Sequence, residues 1–443
     1  MRKIVIVGLG AAGFAAVTSL RRIGYRGEIT VIDPKPSDLF HPCGIPYVIE
    51  GKADIGKITQ SLSLNGTGIE MITGSVLSIN PAEKKISVQT PDGNFSVSYD
   101  ALLLCSGSSP SIPPLRGISL ALNKGLFSLS NTSDLSAVLD CLPEKRSAVV
   151  IGAGAIGLES AAALRNHCGA VTVIEAKEEI LSGMLDPDMA KDVREILESQ
   201  GIAFHLGESA DDVFFDGEFR GVSVSRKRID AEIGICAAGT AANIAVAKGA
   251  GIECGSFGIC VDRSMKTNVE AVYAAGDCVE TFSVIDGKPI PAKLASSAWI
   301  QGTAAALSLT GSEKEYSGSA GTFVIKPGSL EIAGTGFTVS AAAERGFDPV
   351  MARITASVRP DYMHQNGTVT VKIVADRITG RILGAQAFGE GAAGCANLVS
   401  EALVFGASLE SFLSVELAYC PAVSDVISPL MRAAEGALRR TRR

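Results

Sequence analysis

One pattern is written twice in this sequence, and it leaves few folds open. Ile4 to Val7 is an apolar strand, Gly8-Leu9-Gly10-Ala11-Ala12-Gly13 follows it, a helix-like run continues through Leu20, and a second apolar strand from Ile29 to Ile32 ends at Asp33. Ala148 to Ile151 opens the second copy, Gly152-Ala153-Gly154-Ala155-Ile156-Gly157 is its turn, and Val171 to Ile174 ends at Glu175. Strand, GxGxxG, helix, strand and acid make a βαβ unit whose glycines turn the chain, admit a pyrophosphate and let helix pack on strand. The helix N-terminus faces the anion, and the terminal carboxylate accepts hydrogen bonds from an adenosine ribose. Gly8, Gly10, Gly13 and Asp33 therefore form one cofactor-binding set, and Gly152, Gly154, Gly157 and Glu175 a second. Two complete copies imply two dinucleotides. A duplicated fold with one empty site is the alternative, weakened because both copies keep every glycine and the acid.

The rest of the composition agrees with this. With 443 residues, 47% of them hydrophobic, 48 glycines and one tryptophan, the sequence has room for two to four compact α/β domains and is not that of a disordered chain. A net charge of −7 argues against nucleic acid as a main partner, and Arg439-Arg440-Thr441-Arg442-Arg443 reads as a frayed, solvated end. The ten cysteines are scattered and never spaced CxxC, so neither a secreted disulfide framework nor a metal site is expected, and a reducing cytoplasm is the simplest location. Met1-Arg2-Lys3 with its apolar sequel is not read as a signal peptide, because Gly8, Gly10 and Gly13 interrupt the run at nucleotide-turn spacing. The sequence holds no uninterrupted apolar run long enough to span a bilayer.

Just beyond the first unit lies Phe40-His41-Pro42-Cys43-Gly44-Ile45-Pro46-Tyr47. A thiol there is placed to exchange electrons with whatever the first glycine turn holds, provided a helix end, a cation or a hydrogen-bond donor favours the thiolate. Gly44 would let backbone amides approach the sulfur. The plainer alternative is that Cys43 is a small buried hydrophobe.

Together these segments resemble the FAD- and NAD(P)H-dependent pyridine nucleotide–disulfide oxidoreductases, and within them the single-cysteine branch of coenzyme A disulfide reductases, NADH oxidases and persulfide reductases. The resemblance covers essentially the whole chain. It includes both glycine turns, the CGIPY segment at Cys43, Thr267 to Asp277 (TNVEAVYAAGD), and a C-terminal region with Tyr362 and Tyr419. It implies an α/β chain of two Rossmann-like dinucleotide-binding domains, the NAD domain inserted in the FAD domain, plus an α+β C-terminal dimerisation domain. The expected boundaries are 1–116 and 245–318 for FAD, 117–244 for NAD(P)H and 319–443 for dimerisation. Gly276 and Asp277 match the pair that holds the ribityl chain of FAD, and Val272 to Ala275 independently reads as a short buried strand. Leu102 to Gly107 and Ile235 to Gly239 resemble the crossings between nucleotide domains. Gly107 and Gly239 are therefore counted as cofactor-binding, as is Glu159 beside the second glycine turn, while Cys105 and Cys236 read as small buried substitutes.

The chemistry the resemblance implies is a relay from NADH, with NADPH the alternative, through FAD to Cys43 and on to a small disulfide or persulfide. Tyr362 and Tyr419 resemble two tyrosines that help protonate the leaving thiolate, the second supplied by the other subunit of a homodimer; each also reads as a packing residue with a wet hydroxyl. Arg22 matches a basic position used for coenzyme A phosphates, although Arg21 and Arg22 read equally as solvated charges. Two departures limit the likeness. Ala11 and Ala12 stand where the peroxide-handling branch carries a histidine, and His41 is the one histidine placed to substitute. Pro42 stands where the branch usually has Asn or Ser, which puts coenzyme A in doubt. Two other functions stay open: an NADH oxidase cycling Cys43 through sulfenic acid, and a flavoprotein subunit delivering electrons to a protein partner. Cys43 alone is expected to be catalytic. Its competitor is Cys420, disfavoured because neighbours in an extended segment point to opposite sides and Tyr419 should take the inward one.

Overall fold

A computed structural model describes residues 3–35, 38–61, 68–291, 293–312 and 314–442. Met1, Arg2 and Arg443, which entered the readings of the two ends, lie outside them. The chain forms two compact units, one of Met1–Pro42, Asp54–Ser109 and Thr240–Ser319, the other of Cys43–Ala53, Pro110–Gly239 and Ala320–Arg443.

In the first unit the apolar runs of the first glycine turn become a parallel sheet in the order Val272–Ala274, Ala101–Leu104, Ile4–Val7, Ile29–Asp33, Ile69–Thr73. Val5, Ile6, Val31, Leu102 and Leu103 are completely buried in it, as a sheet covered on both faces requires. The helix Ala11–Arg22 returns the chain between the first two strands and packs on the helix Ala295–Leu309. Those helices meet at backbone distance: a Cβ at Gly302 would fall on the carbonyl oxygen of Ala12. A smaller antiparallel sheet of Ser75–Asn80, Lys85–Thr90 and Gly93–Ser98 completes the unit.

The second unit repeats the plan. Its parallel sheet runs Leu126–Phe127, Ile233–Cys236, Ser147–Ile151, Ala170–Glu175, Ile202–Leu206. The C-terminal part is a five-stranded antiparallel sheet, Phe323–Ile325, Ile332–Gly336, Ile382–Gly389, Thr368–Asp376, Pro349–Ser357, followed by the helices Ala392–Val404, Leu409–Leu413 and Pro429–Thr441. The expected fold, two Rossmann-like sheets and an α+β C-terminal part, is the one observed.

The basic end is not frayed. Ser428 caps the last helix, Leu430, Met431, Ala433, Ala434 and Ala437 bury one face of it, Arg440 donates to the carbonyl of Met351, and Arg442 pairs with Glu410 at 2.9 Å. Alanines spaced along the run before the arginines supply the apolar stripe that docks the helix.

A buried polar row ties the start of the helix Pro187–Ser199 to the C-terminal sheet within this unit. Arg353, Lys372 and Gln386 are cross-strand neighbours on three adjacent strands. Lys372, 3% exposed, reaches Asp186 at 2.9 Å and Asp188 at 2.6 Å, at the N-terminus of the helix Pro187–Ser199. Asp186 also accepts from Gln386 Nε2 at 2.8 Å and the Val339 amide at 3.0 Å. Against the opposing effect of burial, the bond from Lys372 and the nearby Arg353 hold the Asp188 carboxyl below its ordinary range. Lys372→Met would leave Asp186 charged and without its cation, which costs about 3–5 kcal/mol. The guanidinium unfolding midpoint of the purified protein should fall accordingly; an unchanged midpoint contradicts this account of the row.

Candidate functional site

The first glycine turn is built by backbone contact. Gly8 has φ +98°, and a Cβ on it would fall on the carbonyl oxygen of Cys105; a Cβ on Gly13 would fall on the carbonyl oxygen of Gly8. Strand, turn and helix can approach this closely only without side chains. Gly10, between them, has nothing within 4 Å of its Cβ position, so this is the face left for a pyrophosphate. Asp33, 4% exposed, accepts the Leu9 amide at 2.6 Å on one oxygen and the Lys35 amide at 2.8 Å on the other. A carboxylate has further lone pairs for a ribose. In the same unit Gly276 donates its amide to Gln301 Oε1 at 2.7 Å, and Asp277 accepts from Ser108 Oγ at 3.1 Å. Burial pushes the Asp277 carboxyl up, against the opposing pull of Ser108 and Lys293, which leaves an acceptor ready for a ligand hydroxyl. Gly107 follows the strand Ala101–Leu104 and accepts the Asn243 amide at 3.0 Å.

The second turn repeats these contacts nearly atom for atom. A Cβ on Gly152 would fall on the carbonyl of Ala237, one on Gly157 on the carbonyl of Gly152, and one on Gly154 meets nothing within 4 Å. Glu175 accepts the Ala153 amide at 2.8 Å and the Lys177 amide at 3.0 Å, in the places Asp33 fills in the first unit. Gly239 closes the neighbouring strand and accepts the Ser111 amide at 2.9 Å. Both turns thus fit a dinucleotide on the same physical grounds: an open central glycine, a helix N-terminus, and an acid already oriented by two amides.

Cys43 lies in the second unit, in a single 3₁₀ turn, Pro42–Gly44, that runs into the short helix Ile45–Ile49. It is exposed, so the reading of it as a buried hydrophobe fails. Gly44 has φ −80°, a conformation open to any residue. Among the ten cysteines only Cys43 and Cys420 are exposed. Burial raises the thiols of Cys105, Cys168, Cys236 and Cys278 and pushes Cys395 up to about 11, which keeps them protonated and unreactive.

Tyr362 and Tyr419 lie on one chain with their hydroxyls 3.4 Å apart, 67% and 47% exposed. The two phenols are thus neighbours within one chain. The hydrogen bond to Tyr362 raises the Tyr419 phenol. Past Cys420 the chain turns, Val423 and Ser424 both donating to its carbonyl, and the Tyr419 and Cys420 side chains are both exposed. Arg22 is exposed at the last turn of its helix, whereas Arg21 is bound to the carbonyls of Tyr25 and Gly68. His41 is exposed, and its amide donates to Ile58 O at 2.8 Å. Glu159 sits on the second glycine-turn helix, and its Oε1 accepts from the Tyr47 hydroxyl at 2.8 Å and from the Lys326 amide at 3.0 Å. Tyr47, the last residue of the CGIPY segment, stands four residues after Cys43. Among the described residues no cluster of His, Cys, Asp and Glu could hold a metal, and no helix is long and apolar enough to cross a membrane.

Comparison with known proteins agrees with this layout. Residues 2–302 match the family model described as pyridine nucleotide-disulphide oxidoreductase, and residues 324–430 match its dimerisation domain. A protein of Methanocaldococcus jannaschii described as NADH oxidase is 34% identical over 99% of both chains. The NAD(P)H coenzyme A polysulfide/persulfide reductase of Pyrococcus horikoshii is 32% identical over 97% of both. The solved NAD-dependent persulfide reductase of A. fulgidus superposes with a TM-score of 0.94 at 28% identity, over 99% of this chain and 83% of that one.

Glu175 makes the nicotinamide preference testable. A carboxylate there accepts from a ribose 2′-hydroxyl and repels a 2′-phosphate, and the exposed Lys177 two residues on is the one nearby cation in sequence to offset it. kcat/KM should be higher for NADH than for NADPH by about tenfold or more, and Glu175→Ser should narrow the ratio; equal or better efficiency with NADPH in the parent protein defeats this.

Proposed function

The chain belongs to the pyridine nucleotide-disulphide oxidoreductase family, and from that premise we propose that it is an FAD-dependent enzyme carrying electrons from NADH to Cys43 and on to a small disulfide or persulfide. The observation that carries this is the exposure of Cys43 on a turn entering a helix while eight of its nine fellow cysteines are buried or half-buried. Gly8, Gly10, Gly13, Asp33, Gly107, Gly276 and Asp277 would hold FAD. Gly152, Gly154, Gly157, Glu159, Glu175 and Gly239 would hold NADH. Bound FAD would supply the two-electron exchange between nicotinamide and disulfide.

The protein's own part is thiol chemistry. The Cys43 thiolate attacks one sulfur of the substrate disulfide, the S–S bond breaks, and the other sulfur leaves as a thiolate. Tyr362 and Tyr419, paired and solvent-facing, would donate a proton to that leaving group. Two electrons from NADH then cleave the mixed disulfide, releasing the second thiol and restoring Cys43. Coenzyme A fits as the thiol if the exposed Arg22 meets its phosphates; Pro42 offers it no hydrogen-bond donor. Cys420, exposed beside Tyr419, is the one further thiol available to the reaction. A second reading, reduction of oxygen through a Cys43 sulfenic acid, is favoured by the likeness to the archaeal NADH oxidase. Against it, Ala11 and Ala12 offer no acid or base.

The working form in this reading is a homodimer. The stretch matched to the dimerisation domain leaves Val404, Phe405, Val423, Val426 and Ile427 exposed, 48% to 78% each, and a second copy of the chain would cover them. Mixing Cys43→Ser chains with chains carrying both Tyr362→Phe and Tyr419→Phe should restore about a quarter of parental turnover, since half of random dimers are mixed and each mixed dimer has one intact site of two. No recovery on mixing places the tyrosines with the cysteine of their own chain.

Cys43→Ser should bind FAD and be reduced by NADH as the parent is, while disulfide and persulfide turnover falls on the order of a thousandfold. Cys420→Ser should cost little. Normal turnover in Cys43→Ser with every acceptor the parent uses sinks the thiol relay; loss of NADH-dependent oxygen consumption alone, with disulfide turnover absent in the parent, selects the oxidase reading.

A further inference from the structure

The helix after Cys43, Ile45–Ile49, is five residues long, too short to persist on its own backbone hydrogen bonds. Contacts must hold it. Ile45, Pro46, Val48 and Ile49 are buried, which fixes its apolar side but leaves rotation and tilt to polar groups. Two polar contacts supply these. His167 Nε2 lies 2.7 Å from the carbonyl oxygen of Ile49, at the C-terminal end. In the middle, the Tyr47 hydroxyl donates to Glu159 Oε1 at 2.8 Å, and the same oxygen accepts the Lys326 amide at 3.0 Å.

Glu159 therefore joins three parts of one unit: the Cys43 segment, the helix Ala155–Arg165 of the second glycine turn, and the chain leaving the strand Phe323–Ile325. Tyr47 follows Cys43 by four residues, and the two groups are near enough to interact electrostatically. Burial and the carboxylates of Glu159 and Glu50 raise the phenol well above its ordinary value, so it stays a donor throughout the range in which a thiol titrates. Phenylalanine would fill the same space and donate nothing.

We infer that Tyr47 is a positioning residue for the reactive thiol: its hydrogen bond to Glu159 ties the turn bearing Cys43 to the nicotinamide-binding helix, and the reactivity of Cys43 depends on that tie. The inference rests on the reading of Cys43 as the reactive cysteine, but its test does not need turnover. Full-length, FAD-loaded parent, Tyr47→Phe, Glu159→Ala and the double variant are reduced, freed of reductant and treated with iodoacetamide across the titration range of a thiol. Mass spectrometry of the peptide holding Cys43 follows the reaction, so that Cys420 does not contribute.

Each single variant should slow Cys43 alkylation at neutral pH by about tenfold, the worth of one hydrogen bond to a charged group, and displace the pH midpoint of the reaction. The double variant should be no slower than the slower single, because both changes remove the same bond. Parental rate and midpoint in Tyr47→Phe overturn the inference, as do effects that multiply in the double variant. Should Tyr47→Phe not accumulate as folded protein, Glu159→Ala carries the same test, and a parental profile there overturns it equally. A Cys43→Ser protein that still turns over would remove the thiol relay while leaving the alkylation result standing, so the two failures are distinguishable.

Discussion

Backbone lying against backbone at two glycine turns is the constraint from which the rest of this protein follows. At Gly8 and Gly13, and again at Gly152 and Gly157, a single methyl group would fall on a carbonyl oxygen of the neighbouring strand end or of the turn itself. Helix, turn and strand can close to that distance only where there is no side chain, and once closed they aim a helix N-terminus at the space above the central glycine. The carboxylates of Asp33 and Glu175 are then drawn in by amides of the same turns. A disruption at any of these contacts would shift the strand ends from which Gly107, Gly239 and Asp277 are presented.

Charge inside the molecule is handled by sharing oxygens rather than by isolated pairs. Asp33 and Glu175 each accept two amides, Asp186 accepts an amide, a side-chain amide and a lysine, and Glu159 accepts a phenol and an amide. Such multiply bonded carboxylates are costly to disturb, since removing one donor leaves an under-satisfied charge in a low dielectric. Asp277 is the exception: with Ser108 as its bonded side chain and its carboxyl pushed up by burial, it is the acid in most need of a further donor. That imbalance suits a residue whose partner is a ligand hydroxyl rather than the protein.

The thiols divide by the same physics. A cysteine behind a strand, such as Cys105 or Cys236, is kept protonated because its environment cannot solvate a thiolate. Cys43 stands outside that environment, yet its segment is short and depends on what it touches. The contacts that hold it belong to the second glycine-turn helix and the C-terminal sheet, far away in sequence.

Local sequence determined most of the architecture. Two apolar strands each side of GxGxxG, an acid at the second strand's end, and an apolar run before Gly276-Asp277 are local statements, and local sterics and periodicity turn them into the same elements wherever they occur. The exposure of Cys43, the meeting of Tyr362 with Tyr419, the Arg353-Lys372-Gln386 row and the grip of Glu159 on Tyr47 were not legible in that way. Each joins residues 14 to 200 positions apart or depends on which face of a segment is covered. The turn after Cys420 is of the same kind, because two amides from further along the chain close on the Cys420 carbonyl. Likewise the arginines of the basic end were legible as charges but not as part of a docked helix, because their order comes from alanines packed on a distant sheet. Chain-local rules specify which elements form and which chemistry they carry; pairing of side chains across elements is decided only when the sheets pack, since it depends on distances that no spacing along the chain encodes.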